Sequence, residues 1–325
     1  MKSTSEQKIP ETHQESTAMD YALVCVAPII WGASGVFVRW THLAGHEQVL
    51  IFYRSCFAVA FYSIVMLVTR RRPEFRFKGQ APLLVTSGLL AAAFAFCVFK
   101  AYNLLPIGVA TFILYLFPVL VAVMAPLLLK EKTERGTLIC LAIALAGTGV
   151  LSWGQLGGGG SSSAKGLVLA FGSAVFWGLL IIIWKKLRET LSPLTIGFWT
   201  NLVAGVVTAG FAIPLTGIVT AKGWAAIGVF GTVSFGVAGL IYFYALKRVK
   251  AQDAALLSYI EPVSAMIFGF ALLAESPNWQ DLVGAVLILA AGALLLRMRT
   301  SGREVPVIPP DALEIAEGSS PGAEL

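Results

Sequence analysis

Ten runs of apolar residues follow one another along this 325-residue chain. They cover approximately 21–39, 47–69, 81–102, 107–129, 136–154, 166–184, 194–214, 223–245, 252–274 and 280–297. Each is close to the roughly 20 residues that a helix needs to cross about 30 Å of hydrocarbon. Strands in lipid must close into a barrel and alternate polar with apolar positions, and these runs do not alternate. The expected fold class is therefore all-α and integral to the membrane, with ten transmembrane helices. Composition agrees with this. The chain is 57% hydrophobic and 13% charged, whereas soluble domains carry about 25% charged residues. Too few charges remain to cover a water-facing surface.

The basic residues set the orientation. Alternate connections hold Arg70, Arg71, Arg72, Arg76 and Lys78, then Lys130, Lys132 and Arg135, then Lys185, Lys186 and Arg188, then Lys247, Arg248 and Lys250. The two tails add Lys2, Lys8, Arg297, Arg299 and Arg303. The opposite side holds Arg39, Lys100, Lys165 and Lys222, and Arg54 stays inside a span. Both termini are expected in the cytoplasm, with the chain in a bacterial-type inner membrane. The net charge of +6 comes from these anchors near lipid headgroups. A nucleic-acid surface would need its bases clustered on one folded face, so no nucleic-acid partner is expected.

The chain also repeats itself. Residues 157–163, Gly-Gly-Gly-Gly-Ser-Ser-Ser, form a linker near its middle. Before it, Trp31-Gly32 lies in the first span and Tyr115-Leu116-Phe117-Pro118 in the fourth, which ends at Lys130-Glu131. After it, Trp177-Gly178 lies in the sixth span and Tyr259-Ile260-Glu261-Pro262 in the ninth, which ends at Ala274-Glu275. The spacing divides the chain into a polar tail (1–20), a first repeat (21–154), a linker (155–165), a second repeat (166–297) and a Pro-, Gly- and acid-rich tail (298–325) expected to be disordered. Five helices is an odd number, so the second repeat enters the membrane inverted. Inverted repeats are a signature of transporters whose substrate sits near the midplane between the halves.

Together these residues resemble the drug/metabolite transporter superfamily, in particular its ten-helix EamA-type members. Trp31-Gly32, Arg54, Pro118 with Lys130-Glu131, Trp177-Gly178, Glu261-Pro262, Glu275 and the closing LVGAVLILAAGALLL carry the resemblance across roughly 21–297. It implies two inverted five-helix repeats around a central cavity, chiefly for export of amino acids, related metabolites or toxic analogues.

Candidate site residues follow from chemistry and from pairing across the repeat. Glu261, deep in its span, could hold a substrate ammonium or a coupling proton, because a charge at that depth costs at least about 2.5 kcal/mol without a partner. Arg54, about 10 Å from the outer surface by helical rise, suits a substrate carboxylate or a salt bridge between helices. Phe96, Phe99, Lys100 and Asn103 share one face of the third span at i, i+3, i+4 and i+7, and Tyr242 is at the equivalent place in the eighth. Trp31, Trp177, Tyr115 and Tyr259 are each matched across the repeat. Pro118 and Pro262 are expected to kink their helices at equal depth and to act as hinges. The four cysteines fall inside apolar runs and the three histidines outside them. No metal or cofactor site is read, and the linker lacks the Gly-Lys-Ser/Thr ending of a phosphate loop.

These readings favour a secondary transporter of a small neutral or zwitterionic molecule, with proton coupling left open and the oligomeric state unread. Phosphorylated or nucleotide-sugar cargo would call for several cavity cations, and Arg54 and Lys100 are the candidates. A passive channel and a membrane-embedded enzyme are the remaining alternatives. The enzyme would need acids, histidines or cysteines clustered near one membrane face.

Overall fold

A computed structural model describes residues 17–43, 45–70, 79–153, 163–274 and 276–300. Outside these lie most of the linker, Glu275, the basic stretch 71–78, the first 16 residues and the tail from 301. The described residues form ten helices of membrane-spanning length: α1 (Ala18–Thr41), α2 (Glu47–Val68), α3 (Ala81–Leu104), α4 (Gly108–Leu128), α5 (Arg135–Trp153), α6 (Ala164–Leu187), α7 (Pro193–Ile218), α8 (Ala221–Leu246), α9 (Ala251–Leu273) and α10 (Trp279–Thr300). The starts of several are written in the sequence. Thr17 and Asp20 close a capping box at α1, and Ser163, Ser192 and Thr220 accept backbone N–H groups at α6, α7 and α8. Such side chains satisfy donors that a helix start leaves free.

The helices pack chiefly across the repeats and not within them. Helix α2 lies on α7, its own counterpart, and α5 lies on α10. The contact of α1 with α8 is mirrored by that of α3 with α6, and that of α4 with α6 by that of α9 with α1. This is the pattern of a pseudo-two-fold axis relating inverted halves. At the α5–α10 contact the two backbones nearly touch. A Cβ on Gly284 would fall 2.6 Å from the Gly147 carbonyl, and one on Gly147 would fall 2.9 Å from the Gly284 carbonyl. Small residues at such a crossing let helices approach where lipid offers no hydrophobic drive to associate. Gly35 and Gly172, by contrast, meet no tight neighbour.

Five spans depart from a plain α-helix, α7 by ending in a 3-10 stretch, Ile213–Ile218. Helix α1 breaks at Ala33. Helix α4 breaks at Tyr115 and Leu116, with Phe117–Leu128 as its second half, and α9 divides into Ala251–Leu257 and Ile260–Leu273. Pro118 and Pro262 therefore stand in the first turn of a second half-helix, where a missing N–H is tolerated. Helix α8 carries a π-helical stretch, Phe230–Val237, between two α segments. Such turns are rare and concentrate at functional sites.

Gly284→Leu should force α5 and α10 apart, with an overpacking cost of about 1–3 kcal/mol. A lower thermal midpoint in detergent would report it, whereas an unchanged midpoint would mean that the contact is dispensable.

Candidate functional site

The aromatic residues that the repeat pairs come together at the centre. Trp31 meets Trp177 edge to face at 5.4 Å, and Trp177 meets Trp184 at 5.6 Å and Phe94 at 4.6 Å. Trp184 continues to Phe243 at 5.0 Å. Contacts of this kind contribute beyond the area they bury. The rings enclose a cavity of about 40 Å³ lined by both repeats, including Trp31, Arg54, Phe94, Trp177, Trp184, Asn201 and Ser234. One probe-sized water needs about 10–15 Å³, so the cavity has room for only a few water-sized groups.

Arg54 is buried at 3% exposure. Its guanidinium lies 3.6 Å over the Phe235 ring, a cation–π contact. The π-helical stretch of α8 delivers both Ser234 and Phe235 to this place. Gly231 allows the approach of α2, since a Cβ there would fall 2.5 Å from the Arg54 carbonyl. Trp31 donates its indole N–H to the Ser234 carbonyl at 2.8 Å. Three buried polar atoms of the lining have no hydrogen-bond partner: Arg54 Nε, Ser234 Oγ and Trp184 Nε1. Buried polar groups are partnered in the great majority of cases, and these three gather around one cavity.

The broken helices cross beside this cavity. Tyr115 and Tyr259 stack at 5.8 Å, and the Tyr259 hydroxyl donates to the Tyr115 carbonyl at 2.8 Å. The Tyr115 side chain faces the half-buried Glu261 carboxyl, with Tyr102 beside them.

Of the residues singled out in the sequence, Trp31, Trp177 and Arg54 line the cavity. Tyr242 packs on Trp31 at 5.2 Å. Tyr115, Tyr259, Glu261, Pro118 and Pro262 belong to the adjoining crossing. Phe99 packs into the apolar interior. Phe96 turns outward with 47% exposure, since its position on α3 faces away from the partner helices. Lys100 and Asn103 meet Glu47 at the far end of the bundle, by an ion pair of 3.3 Å and a hydrogen bond of 2.6 Å. They clamp α3 to α2 and do not reach the cavity. The salt bridge expected of Arg54 does not form among the described residues, because its guanidinium is taken by the Phe235 face. Trp184, Thr200, Asn201, Ser234 and Phe235 were not anticipated. The one signal for them was the Thr200-Asn201 pair inside an apolar run.

The two ends of the bundle are held together by different chemistry. On the face that carries Asp20 and Arg299, the buried Asp253 receives two hydrogen bonds from Arg299, at 2.9 and 3.0 Å, and one from Tyr21 at 3.2 Å. Arg299 also pairs with Glu134, which pairs with Lys250 at 2.7 Å. Arg248 pairs with Asp20 at 3.2 Å. Lys185 donates to the carbonyls of Leu246, Lys247 and Val249. Glu131 accepts the Ala251 amide at 2.9 Å. Burial pushes the Glu131 carboxyl above its usual range, opposed by Lys185, whereas the hydrogen bond from Lys250 holds Glu134 below it. The share of Glu134 in this network is thus present above the ordinary carboxylate range and lost as pH falls through its lowered value. On the opposite face, Leu43, Val49, Leu50, Ile227 and Phe230 form a buried apolar cluster.

Ten membrane-length helices in two inverted repeats, packed around a central cavity with unsatisfied polar atoms, define a multi-pass membrane protein of the transporter class. The chain belongs to the EamA-like transporter family, whose description matches residues 19–153 and again 164–297. A relative from Archaeoglobus fulgidus, named "Uncharacterized transporter", is 27% identical over 273 residues, covering 83% of this chain and 93% of its own. A "Probable terminal-alkyne amino-acid exporter" from Streptantibioticus cattleyicolor is 26% identical over 206 residues, covering 61% of this chain and 66% of its own. A solved crystal structure superposes with a TM-score of 0.74 over 85% of this chain and 96% of its own, at 18% identity, and so shares the fold.

Arg299→Ala should loosen the ionic network. Removing one partner of a buried ion pair costs about 3–5 kcal/mol, because Asp253 is left charged and alone. In a variant whose sole cysteine is the fully buried Cys140, maleimide labelling should then accelerate. An unchanged labelling rate would mean that the packing of this face does not depend on this pair.

Proposed function

We propose that this protein is a secondary transporter that carries a small organic metabolite across the cell's inner membrane by alternating access, most naturally as an exporter of amino acids or related compounds. The observation that carries the reading is the small cavity between the inverted repeats, lined by residues of both and including polar atoms without a partner. A channel would not need two inverted repeats packed across one another around a central site. The broken helices α4 and α9, crossing at matched prolines, supply the places where the halves can bend. The relative named as an amino-acid exporter supports cargo of that size. The gathering of basic residues on the Asp20–Arg299 face supports an arrangement with that face in the cytoplasm.

Counterflow in proteoliposomes tests the reading. Vesicles loaded with each member of an amino-acid and small-metabolite panel should take up the labelled compound saturably. A bismaleimide bridging Glu134→Cys and Lys250→Cys across the ionic face should abolish that exchange. Undiminished flux in the bridged protein would exclude alternating access.

Proton coupling, in the same reading, rests on Glu261. Among the described residues no cation pairs with its carboxyl, and Tyr115 can bond either protonation state. Glu261→Gln should keep substrate exchange and lose the response of net transport to a pH gradient. Retention of that response would remove the coupling role.

A further inference from the structure

Among the described residues, no opposite charge balances the arginine of the central cavity. Arg54 is 3% exposed, its Nε has no partner, and among the described residues no carboxylate pairs with it. Transferring an unpaired charge from water into such surroundings is costly. The Phe235 face offsets part of that cost, yet it leaves the N–H donors of the guanidinium short of acceptors. Ser234, next to Phe235 in the chain, adds an unpartnered hydroxyl. The rest of the lining is aromatic or small: Trp31, Phe94, Trp177 and Trp184 among the large rings. Among the described residues no acidic side chain lines the cavity, and Glu261 lies outside it.

This arrangement chooses between kinds of cargo. A phosphorylated compound brings two or more negative charges to one cation. A zwitterion brings an ammonium group that would lose its water with no carboxylate to receive it. A monocarboxylate with an apolar or aromatic body matches each part of the wall. Its carboxylate takes the forked guanidinium geometry that suits such groups, and its body takes the rings.

Taking the carrier reading above as given, but setting its amino-acid cargo aside, we propose that the cargo is an organic monocarboxylate with an apolar or aromatic body, anchored by Arg54 with Ser234 as second donor, and that an amino group is no part of its recognition. The body is seated among Trp31, Phe94 and Trp177.

Binding and transport are measured separately, with 3-phenylpropanoate as the probe. The tryptophans of the cavity report binding through their fluorescence. Wild-type protein should respond saturably to 3-phenylpropanoate, at least as tightly as to phenylalanine. The matched amide and inorganic phosphate should bind about tenfold or more weakly. Arg54→Gln should weaken 3-phenylpropanoate by a similar factor and bring it level with the amide, while Arg54→Lys restores part of the difference. The wild-type comparison stands even if a variant fails to fold. Counterflow of labelled 3-phenylpropanoate then follows in proteoliposomes. Binding with this selectivity but no exchange would uphold the carboxylate site and count against the carrier. Exchange of phenylalanine in preference to 3-phenylpropanoate, or equal responses to acid, amide and phosphate, would overturn the assignment and leave the carrier intact. No response to 3-phenylpropanoate in either measurement would also overturn it.

Discussion

Within hydrocarbon, every backbone N–H and C=O must find its partner inside the protein, because no water is there to supply one. This constraint decides how α4 and α9 can be interrupted. A proline in each removes a donor and halts the helical ladder, and turns of the i to i+3 type carry the chain across both breaks. At the break in α4, the Tyr115 carbonyl is met by the Tyr259 hydroxyl from the other repeat. The two interruptions therefore stabilise each other. Their crossing fixes the stacked tyrosines, and the stack in turn fixes the environment of Glu261.

The cavity beside that crossing follows a different logic. Its wall is built from large rings in edge-to-face contact, which fill space without needing hydrogen bonds. The few polar tips it contains stand out because nothing else there competes for them. Arg54 reaches this wall only because a glycine on α8 lets α2 come close and because a π-helical stretch turns Phe235 beneath it. Thr200 is already engaged with Ser87 at 2.8 Å, and Asn201 with the Gly197 carbonyl at 2.9 Å. The unsatisfied capacity is concentrated on Arg54, Ser234 and Trp184.

The spans, the two repeats and the pairing of Trp31 with Trp177 could be read from the chain, because length, apolarity and internal matching are properties of sequence. Which face of each helix looks inward could not. In a soluble protein the outer face is polar and the contrast reveals the orientation. In lipid the outer face is as apolar as the core, so Phe96, on the same predicted face as Phe99, could turn outward without any sign in the pattern. Ser234 and Phe235 were hidden for a second reason. The π-helical stretch shifts the register of α8, and a fixed period of 3.6 misplaces every side chain beyond it. Lys100 and Asn103 carried a recognisable polar signature, but their partner Glu47 is remote in sequence and near only in the fold.

The mismatch between Phe117 and Glu261 has a consequence for the whole molecule. If the two repeats were identical, each could adopt the other's conformation, and the resulting structure, facing the opposite side, would have the same energy by symmetry. Every position at which the repeats differ lifts that degeneracy. A carboxyl set against Tyr115 in one half, with a phenyl ring at the matching place in the other, does so at the crossing of the broken helices. The ion pairs on one face and the apolar cluster on the other do so again at the two ends. In a carrier that alternates, a preference for one orientation over the other would thus be written in the departures from the repeat and not in the repeat itself.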